Sequence, residues 1–284
     1  MNSANTSRPR CLAGFRTVGQ LAVLVSACAI SLGAEAALVY VHNGALDPVT
    51  EGWAADANSH TGTTAGPVYN DLGSGYDAWA VDDNSTAAGS LRYYFEDLSA
   101  TTHHADTAAN GWRLSVRLRI VNASDGFTTV SGFGTASTIA AYYRTGDSDP
   151  GPANNSRDWY LGFGSQADGD PLIRLPNSTG GTYAFEGGGS GYHLYELVYD
   201  PTALSADFFI DGVEEVSNIV GNLSPYSGQL VAWGATTSPD AGQGNFNYVR
   251  FATTSVVPLP PAVLLFVSGI AALAGIRRQT AARG

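Results

Sequence analysis

Nine residues near the middle of the chain constrain its fold most. Trp112, Leu114, Val116, Leu118 and Ile120 alternate with Arg113, Ser115, Arg117 and Arg119. Side chains of a strand point alternately to opposite faces. This period-two pattern therefore sets one apolar face against a core and leaves the other wet. On a helix the same residues would scatter around the axis.

The chain on either side reads the same way. From 38 to 251 it offers no convincing helix, and Gly, Ser, Thr, Asn and Asp separate short apolar runs, the pattern of many short strands and turns. Further strands are expected at 38–41, 91–95, 127–133, 139–144, 159–163, 172–175, 192–199, 206–210, 213–217, 230–234 and 248–252. Asp211-Gly212 falls between two of these runs. Asp-Gly favours a type I′ turn, whose central residues both need positive φ, so 206–217 is predicted to be a hairpin. The expected fold class is all-β, a sandwich or barrel in one domain over 37–252.

The two ends differ from this middle. Arg8, Arg10 and Arg16 precede an apolar run from Leu21 to Leu32, and Ala34-Glu35-Ala36 supplies a small-x-small cleavage pattern. That is the order of a signal peptide over 1–36, cut after Ala36. Val25-Ser26-Ala27-Cys28 offers a rival, lipobox-like cut. The cysteines are Cys11 and Cys28 alone, so a mature chain would have no disulfide and no thiol chemistry. Between Ala37 and Val257 stand 8 arginines, no lysine and 24 acidic residues, and 8 − 24 leaves this stretch at −16. Such a surface repels phosphate backbones and excludes nucleic acid as a partner.

At the C-terminus Val257-Pro258-Leu259-Pro260 leads into an apolar stretch, 262–276, followed by Arg277 and Arg278. Fifteen helical residues reach about 22 Å against a hydrocarbon core of about 30 Å. The span, placed at about 260–276, is therefore short and marginal. The arginines would hold its end in the cytosol, with the proline motif at the outer membrane face.

This order resembles the PEP-CTERM sorting tail of exopolysaccharide-producing Gram-negative bacteria. The resemblance covers roughly the last 28 residues of the tail segment 253–284 and implies processing by an exosortase-like protease. Pro258 and Pro260 match the two prolines of that motif, and Leu259 stands where Glu is usual. A second resemblance lies in the middle. Tyr192-His193-Leu194-Tyr195-Glu196-Leu197-Val198-Tyr199-Asp200, the hairpin through Asp211-Gly212, and Phe246-Asn247-Tyr248-Val249-Arg250-Phe251 look like late strands of the concanavalin A-like (laminin G-like) jelly roll. That fold hosts lectins, adhesion modules, glycan hydrolases and inert spacers, so it implies no single function.

Searches for catalytic patterns fail. Gly-x-Ser-x-Gly and His-Glu-x-x-His are absent, and His42, His60, His103, His104 and His193 lack ligand spacing. His103-His104 reads as a surface loop and His193 as a core or edge strand residue. Gly162-Phe163-Gly164-Ser165-Gln166-Ala167 matches a dinucleotide fingerprint on paper, but the following Asp170-Pro171 stops the helix that fingerprint requires. The Glu-x-Asp-x-Glu face of jelly-roll glycan hydrolases is missing, and the neighbours Glu214-Glu215 and Asp82-Asp83 diverge on strands. No catalytic residue is expected.

Two binding chemistries are expected instead. Asp147, Asp149, Asn154, Asn155 and Asp158 gather hard oxygen ligands in one Gly/Pro loop that would suit calcium, with Asp168 and Asp170 as a second cluster. Sugars stack their apolar faces on aromatic rings, for which Trp53, Trp79, Trp159, Tyr142 and Tyr143 are candidates, one ring of the tandem Tyr142-Tyr143 being expected to face out, whereas Trp112 and Trp233 read as core. The sequence thus suggests an exported, envelope- or matrix-associated, non-catalytic glycan-binding module, held at least transiently in the inner membrane and partnered by exopolysaccharide. The alternatives are a structural biofilm protein without a ligand and a divergent polysaccharide hydrolase.

Overall fold

The structure is a computed structural model. It describes residues 39–56, 62–83, 92–99, 103–123, 128–130, 134–136, 139–146, 156–176, 182–224, 228–235 and 242–253, all within one compact unit, Ala37–Val256. The expected signal peptide with Ala34 and Ala36, the cysteines and the tail with Val257, Pro258, Leu259, Pro260, Arg277 and Arg278 lie outside the described residues. Among the described residues no helix is long and apolar enough to cross a membrane.

The chain forms two facing antiparallel sheets, a jelly-roll-like sandwich. The first sheet places β15 (Val213–Ile219), β14 (Ser205–Ile210), β13 (His193–Asp200), β6 (Trp112–Ala123), β18 (Gly242–Thr253), β4 (Ala78–Asp83) and β3 (Thr63–Val68) side by side, with β1 (Val39–Asn43) also paired to β18. In the second, β12 (Thr182–Ala184), β11 (Pro171–Arg174), β10 (Arg157–Ser165), β9 (Ile139–Arg144), β17 (Leu230–Ala235), β5 (Arg92–Asp97) and β2 (Ala54–Ala55) follow in that order, and β16 (Asn222–Leu223) pairs with β10. A separate hairpin joins β7 (Thr128–Val130) to β8 (Gly134–Ala136).

Strand β6 shows why the sheets face one another. Its alternating set Trp112, Leu114, Val116, Leu118 and Ile120 is buried in the core. There it meets Tyr143, Trp159, Leu161, Phe163, Trp233 and Phe251 from both sheets. Trp112 stacks on Tyr199 with centroids 5.4 Å apart and lies edge-on to Trp159 at 5.5 Å. Deleting one such ring would cost about 3–5 kcal/mol. The predicted hairpin forms as read. Asp211 and Gly212 have φ of 49° and 83°, and Ile210 faces Val213 across the turn.

Two expectations need correction. An α-helix, α1 (His103–Asn110), stands where the His pair suggested a loop. It ends at Gly111, whose φ of 78° and amide bond to the Thr107 carbonyl close the last turn. Six strands, β2, β3, β4, β8, β12 and β16, escaped the sequence reading. Gly66 and Pro67 mask β3, which tolerates them because it is an edge strand.

The wet face of β6 is tied down by a connecting turn. Asp71 takes two bonds from Arg119, Nε–Oδ2 2.6 Å and Nη2–Oδ1 2.9 Å. It also accepts from the Tyr192 hydroxyl at 2.8 Å and Asn245 Nδ2 at 2.7 Å. Burial alone would raise this carboxyl, but the bonds from Arg119, Asn245 and Tyr192 outweigh it and hold the pKa below its usual value.

Candidate functional site

The second sheet turns an unusual face away from the core. Cross-strand registry lines up three rungs on it. Phe95, Ala232, Tyr142 and Tyr160 form the middle rung across β5, β17, β9 and β10. Tyr93, Gly234, Ala140, Gly162 and Arg174 form the rung on one side, reaching β11. On the other side lie Asp97, Leu230, Arg144, Asp158 and Asn222. The alternate residues Tyr94, Ala141, Tyr143, Leu161, Ile173 and Trp233 belong to the core.

The first flanking rung is bare at its centre. Gly234, Ala140 and Gly162 carry at most a methyl group, so between Tyr93 and Arg174 runs a floor about 19 Å across, from a strand spacing of about 4.8 Å. Gly234 is required there. At φ 122° a Cβ would come within 2.6 Å of the Arg92 carbonyl oxygen. Tyr142 and Tyr160 wall one side, while Tyr93 packs against Phe95 at 5.6 Å. Tyr160 and Arg174 are buried, and Tyr93, Phe95 and Tyr142 are half-buried.

Polar groups are fixed around these rings. Arg144 Nε donates to Asp158 Oδ1 at 2.8 Å, with both side chains more than nine-tenths buried. Asn222 Nδ2 donates to the Tyr160 hydroxyl at 3.1 Å. Burial pushes the Tyr142 hydroxyl pKa far up, against the pull of Arg144. Burial and the Asp56 carboxylate raise that of Tyr93. Both phenols therefore remain neutral donors across the physiological range. Gly234, Ala140, Gly162 and Ala232 are themselves buried, so the half-buried rings of Tyr93, Phe95 and Tyr142 supply the surface that can stack the apolar face of a flat polar ligand.

The sequence-predicted residues are distributed unevenly around this face. Tyr142 sits in its middle rung. Tyr143 and Trp159, two other stacking candidates, point the opposite way and are 0% and 1% exposed, so core packing and not a sugar occupies their rings. The Tyr143 hydroxyl bonds Thr107 Oγ1 at 2.9 Å and accepts from Gln229 Nε2 at 2.7 Å. Asp158 was expected in a calcium loop. It stands instead on β10 as the partner of Arg144. Asp147, Asp149, Asn154 and Asn155 lie outside the described residues. Sequence reasoning missed Tyr93, Phe95, Tyr160 and Arg174, whose only signal was their place in the alternate set of each strand.

The second acidic cluster is closed on itself. Asp168, Asp170 and Glu186 bring ligand atoms within 4.8 Å of one another. Both oxygens of Asp170 accept backbone amides, from Gly187 at 2.6 Å and Gly189 at 2.7 Å, and Asp168 accepts the Asp170 amide at 3.1 Å. These bonds hold the loop in shape. His42 and His193 are engaged as well. His42 is fully buried against Trp233, with Nδ1 2.6 Å from Glu51. His193 bridges Asp211 at 2.7 Å and the Gly188 carbonyl at 2.9 Å. Neither ring nitrogen of His42 or His193 meets a serine or threonine hydroxyl among the described residues, so the base–nucleophile contact of a serine hydrolase is missing there.

No protein-family model matches the sequence, and no curated protein matches it. Solved structures do resemble the fold. A carbohydrate esterase of the Shiga toxin-encoding bacteriophage phi24B aligns over 77% of this chain and all of its own, with 15% identity and a TM-score of 0.50. The cellulose-induced protein Cip1 aligns over 72% of this chain and 92% of its own at 13% identity and TM-score 0.42. A Bacillus licheniformis β-glucanase aligns over 77% and 99% at 10% identity and TM-score 0.39. At these identities the likeness concerns the fold, and the chemistry has to be argued from this chain's own residues.

Proposed function

We propose that the chain is an exported, non-catalytic glycan-binding module of the concanavalin A-like kind, which takes polysaccharide on the outer face of its second sheet. The single observation that supports this reading is the rung Phe95–Ala232–Tyr142–Tyr160 beside the bare floor Gly234–Ala140–Gly162. Sheet faces that merely meet water carry mixed polar side chains. This one keeps rings and small residues together and fixes Arg144, Asp158 and Asn222 beside them. Its ligand is a sugar chain lying across the strands.

The remainder of the reading comes from the ends of the sequence. The pattern Ala34-Glu35-Ala36 supports export, and Val257-Pro258-Leu259-Pro260 with Arg277-Arg278 supports a PEP-CTERM-like tail processed by an exosortase-like protease. The module would then work in the cell envelope or exopolysaccharide matrix, with calcium as a candidate ion of the 147–155 loop.

The test is retention of the compact unit Ala37–Val256 on the host's own exopolysaccharide, with calcium and then with EGTA. Retention in either buffer, with no reducing ends released, is the expected result, and dependence on calcium would bring the ion into the site. Absence of retention in both buffers would favour a structural surface protein without a ligand. Released reducing ends would favour a hydrolase.

A further inference from the structure

The first sheet carries a separate cavity on its outer face, of about 530 Å³. That volume lies within the range of about 300–1,000 Å³ usual for small-molecule sites. Four neighbouring strands line it. Asn43 comes from β1, Asn247, Tyr248 and Arg250 from β18, Ser115 and Arg117 from β6, and Leu194 and Glu196 from β13. Registry sets Arg250 opposite Ser115, Ser115 opposite Glu196, and Arg117 opposite both Tyr248 and Leu194. Arg117 and Arg250 are thus diagonal neighbours on one face, about 7–8 Å apart at the backbone.

The charge balance of this cavity is opposite to that of the chain around it. Ala37 to Val257 carries −16. Even so, Arg113, Arg117, Arg119 and Arg250, half of that stretch's 8 arginines, occupy this face. Two of the four are paired with carboxylates. Arg119 is held by Asp71 at 2.6 Å, and Arg113 lies 3.6 Å from Glu196. The other two meet no carboxylate among the described residues. There Arg117 bonds the neutral Asn247 Oδ1 at 3.4 Å and rests over the Tyr76 ring at 5.3 Å. Arg250 meets no carboxylate among the described residues. In a strongly acidic domain, two half-buried guanidinium groups left without a carboxylate form a local anion-attracting centre.

The other lining groups narrow the class of anion. Glu196 accepts from Ser115 Oγ at 2.6 Å and adds one negative charge to the wall, which disfavours a compact dianion such as phosphate. Ser115, Asn43 and Asn247 are neutral and suit hydroxyl groups, and Tyr248 and Leu194 offer apolar surface. We propose that this cavity binds a sugar acid, a hexuronate unit of an acidic polysaccharide, with its carboxylate between Arg117 and Arg250 and its hydroxyls toward Ser115, Glu196 and Asn43. The site is independent of the aromatic face of the second sheet and stands whether or not that face takes sugar.

Full-length protein in a non-saccharide detergent, titrated calorimetrically, tests this. Digalacturonate is compared with its neutral counterpart galactobiose and with inorganic phosphate. Digalacturonate should bind at least about tenfold tighter than galactobiose, the worth of one charge-assisted contact. Arg250→Gln should weaken it by at least about tenfold, and so should Asn43→Asp, which places a carboxylate in the cavity without touching either arginine. Absence of digalacturonate binding to the unaltered protein would overturn the proposal, as would phosphate binding equally well or unchanged affinity in both variants. Loss on Tyr142→Ala with Arg250→Gln unaffected would move the ligand to the second sheet and equally overturn it.

Discussion

The two outer faces of the sandwich are built from the same alternation, yet they differ in how much of their charge meets water. On the first sheet Arg113 and Glu196 meet at 3.6 Å with side chains 44% and 14% exposed. On the second, Arg144 and Asp158 meet at 2.8 Å with both below 10%. The first face mixes exposed charges with one covered pair, Arg119 and Asp71, whose side chains are 11% and 6% exposed. The second is a set of rings and small residues in which one ion pair is desolvated. The difference shows that facing away from the core does not by itself mean facing solvent. A face that excludes water and still keeps a charged pair oriented has the makings of a binding surface.

The largest expected effect tests that contrast directly. Asp158→Ala would take from the buried Arg144 guanidinium the carboxylate that meets it at 2.8 Å, and denaturant unfolding should show a loss of about 3–5 kcal/mol. A loss below about 1 kcal/mol would mean that this pair is as well hydrated as the exposed Arg113–Glu196 pair of the first sheet.

Asp71→Asn comes next. Asp71 is 6% exposed and receives bonds from Arg119, Tyr192 and Asn245. Neutralising it should cost about 1.5–3 kcal/mol in the same measurement. The pH dependence has a defined sign. Because the folded pKa lies below the unfolded value of 3.8, Asp71 contributes its stability above that value. The contribution is lost as pH falls through the lower folded pKa. The variant should therefore show a shallower acid limb below pH 3.8 than the unaltered protein.

A milder acid effect is expected from His42. Burial lowers its pKa below 6.5 despite the opposing pull of Glu51. The unfolded chain then binds more protons, and stability declines as pH falls below 6.5 toward the depressed folded value. Thermal melts at stepped pH should show this slope, and His42→Gln should flatten it. The smallest effect belongs to Arg113→Ala. The exposed Arg113–Glu196 pair is screened by water, so its loss should cost less than about 1 kcal/mol.

The sequence made the first sheet easier to read than the second, and the reason is burial. In β6 the outward residues are arginines and a serine, so period two is plain from the letters. The hairpin at Asp211-Gly212 was legible because its turn needs two positive φ angles. In β10, seven of nine residues are buried, and both faces carry apolar or small groups. A strand covered on both sides loses its alternation. This is why Trp159 reads as a stacking candidate although it packs in the core and why Tyr160 and Phe95 carry no sequence signal, whereas the tandem Tyr142-Tyr143 does turn one ring each way. Helix α1 was hidden by its polar first residues, and the one legible mark of its end was Gly111.

The central claim is that the second sheet's outer face holds the glycan. It is tested most directly by comparing Tyr142→Ala with Tyr69→Ala in retention on the host's exopolysaccharide. Tyr142 lies in the middle rung of that face, whereas Tyr69 is 70% exposed just after β3 of the other sheet. Loss of one half-buried aromatic anchor should weaken retention by at least about tenfold in Tyr142→Ala and leave Tyr69→Ala unchanged. Equal retention by both variants and the unaltered domain would contradict the account.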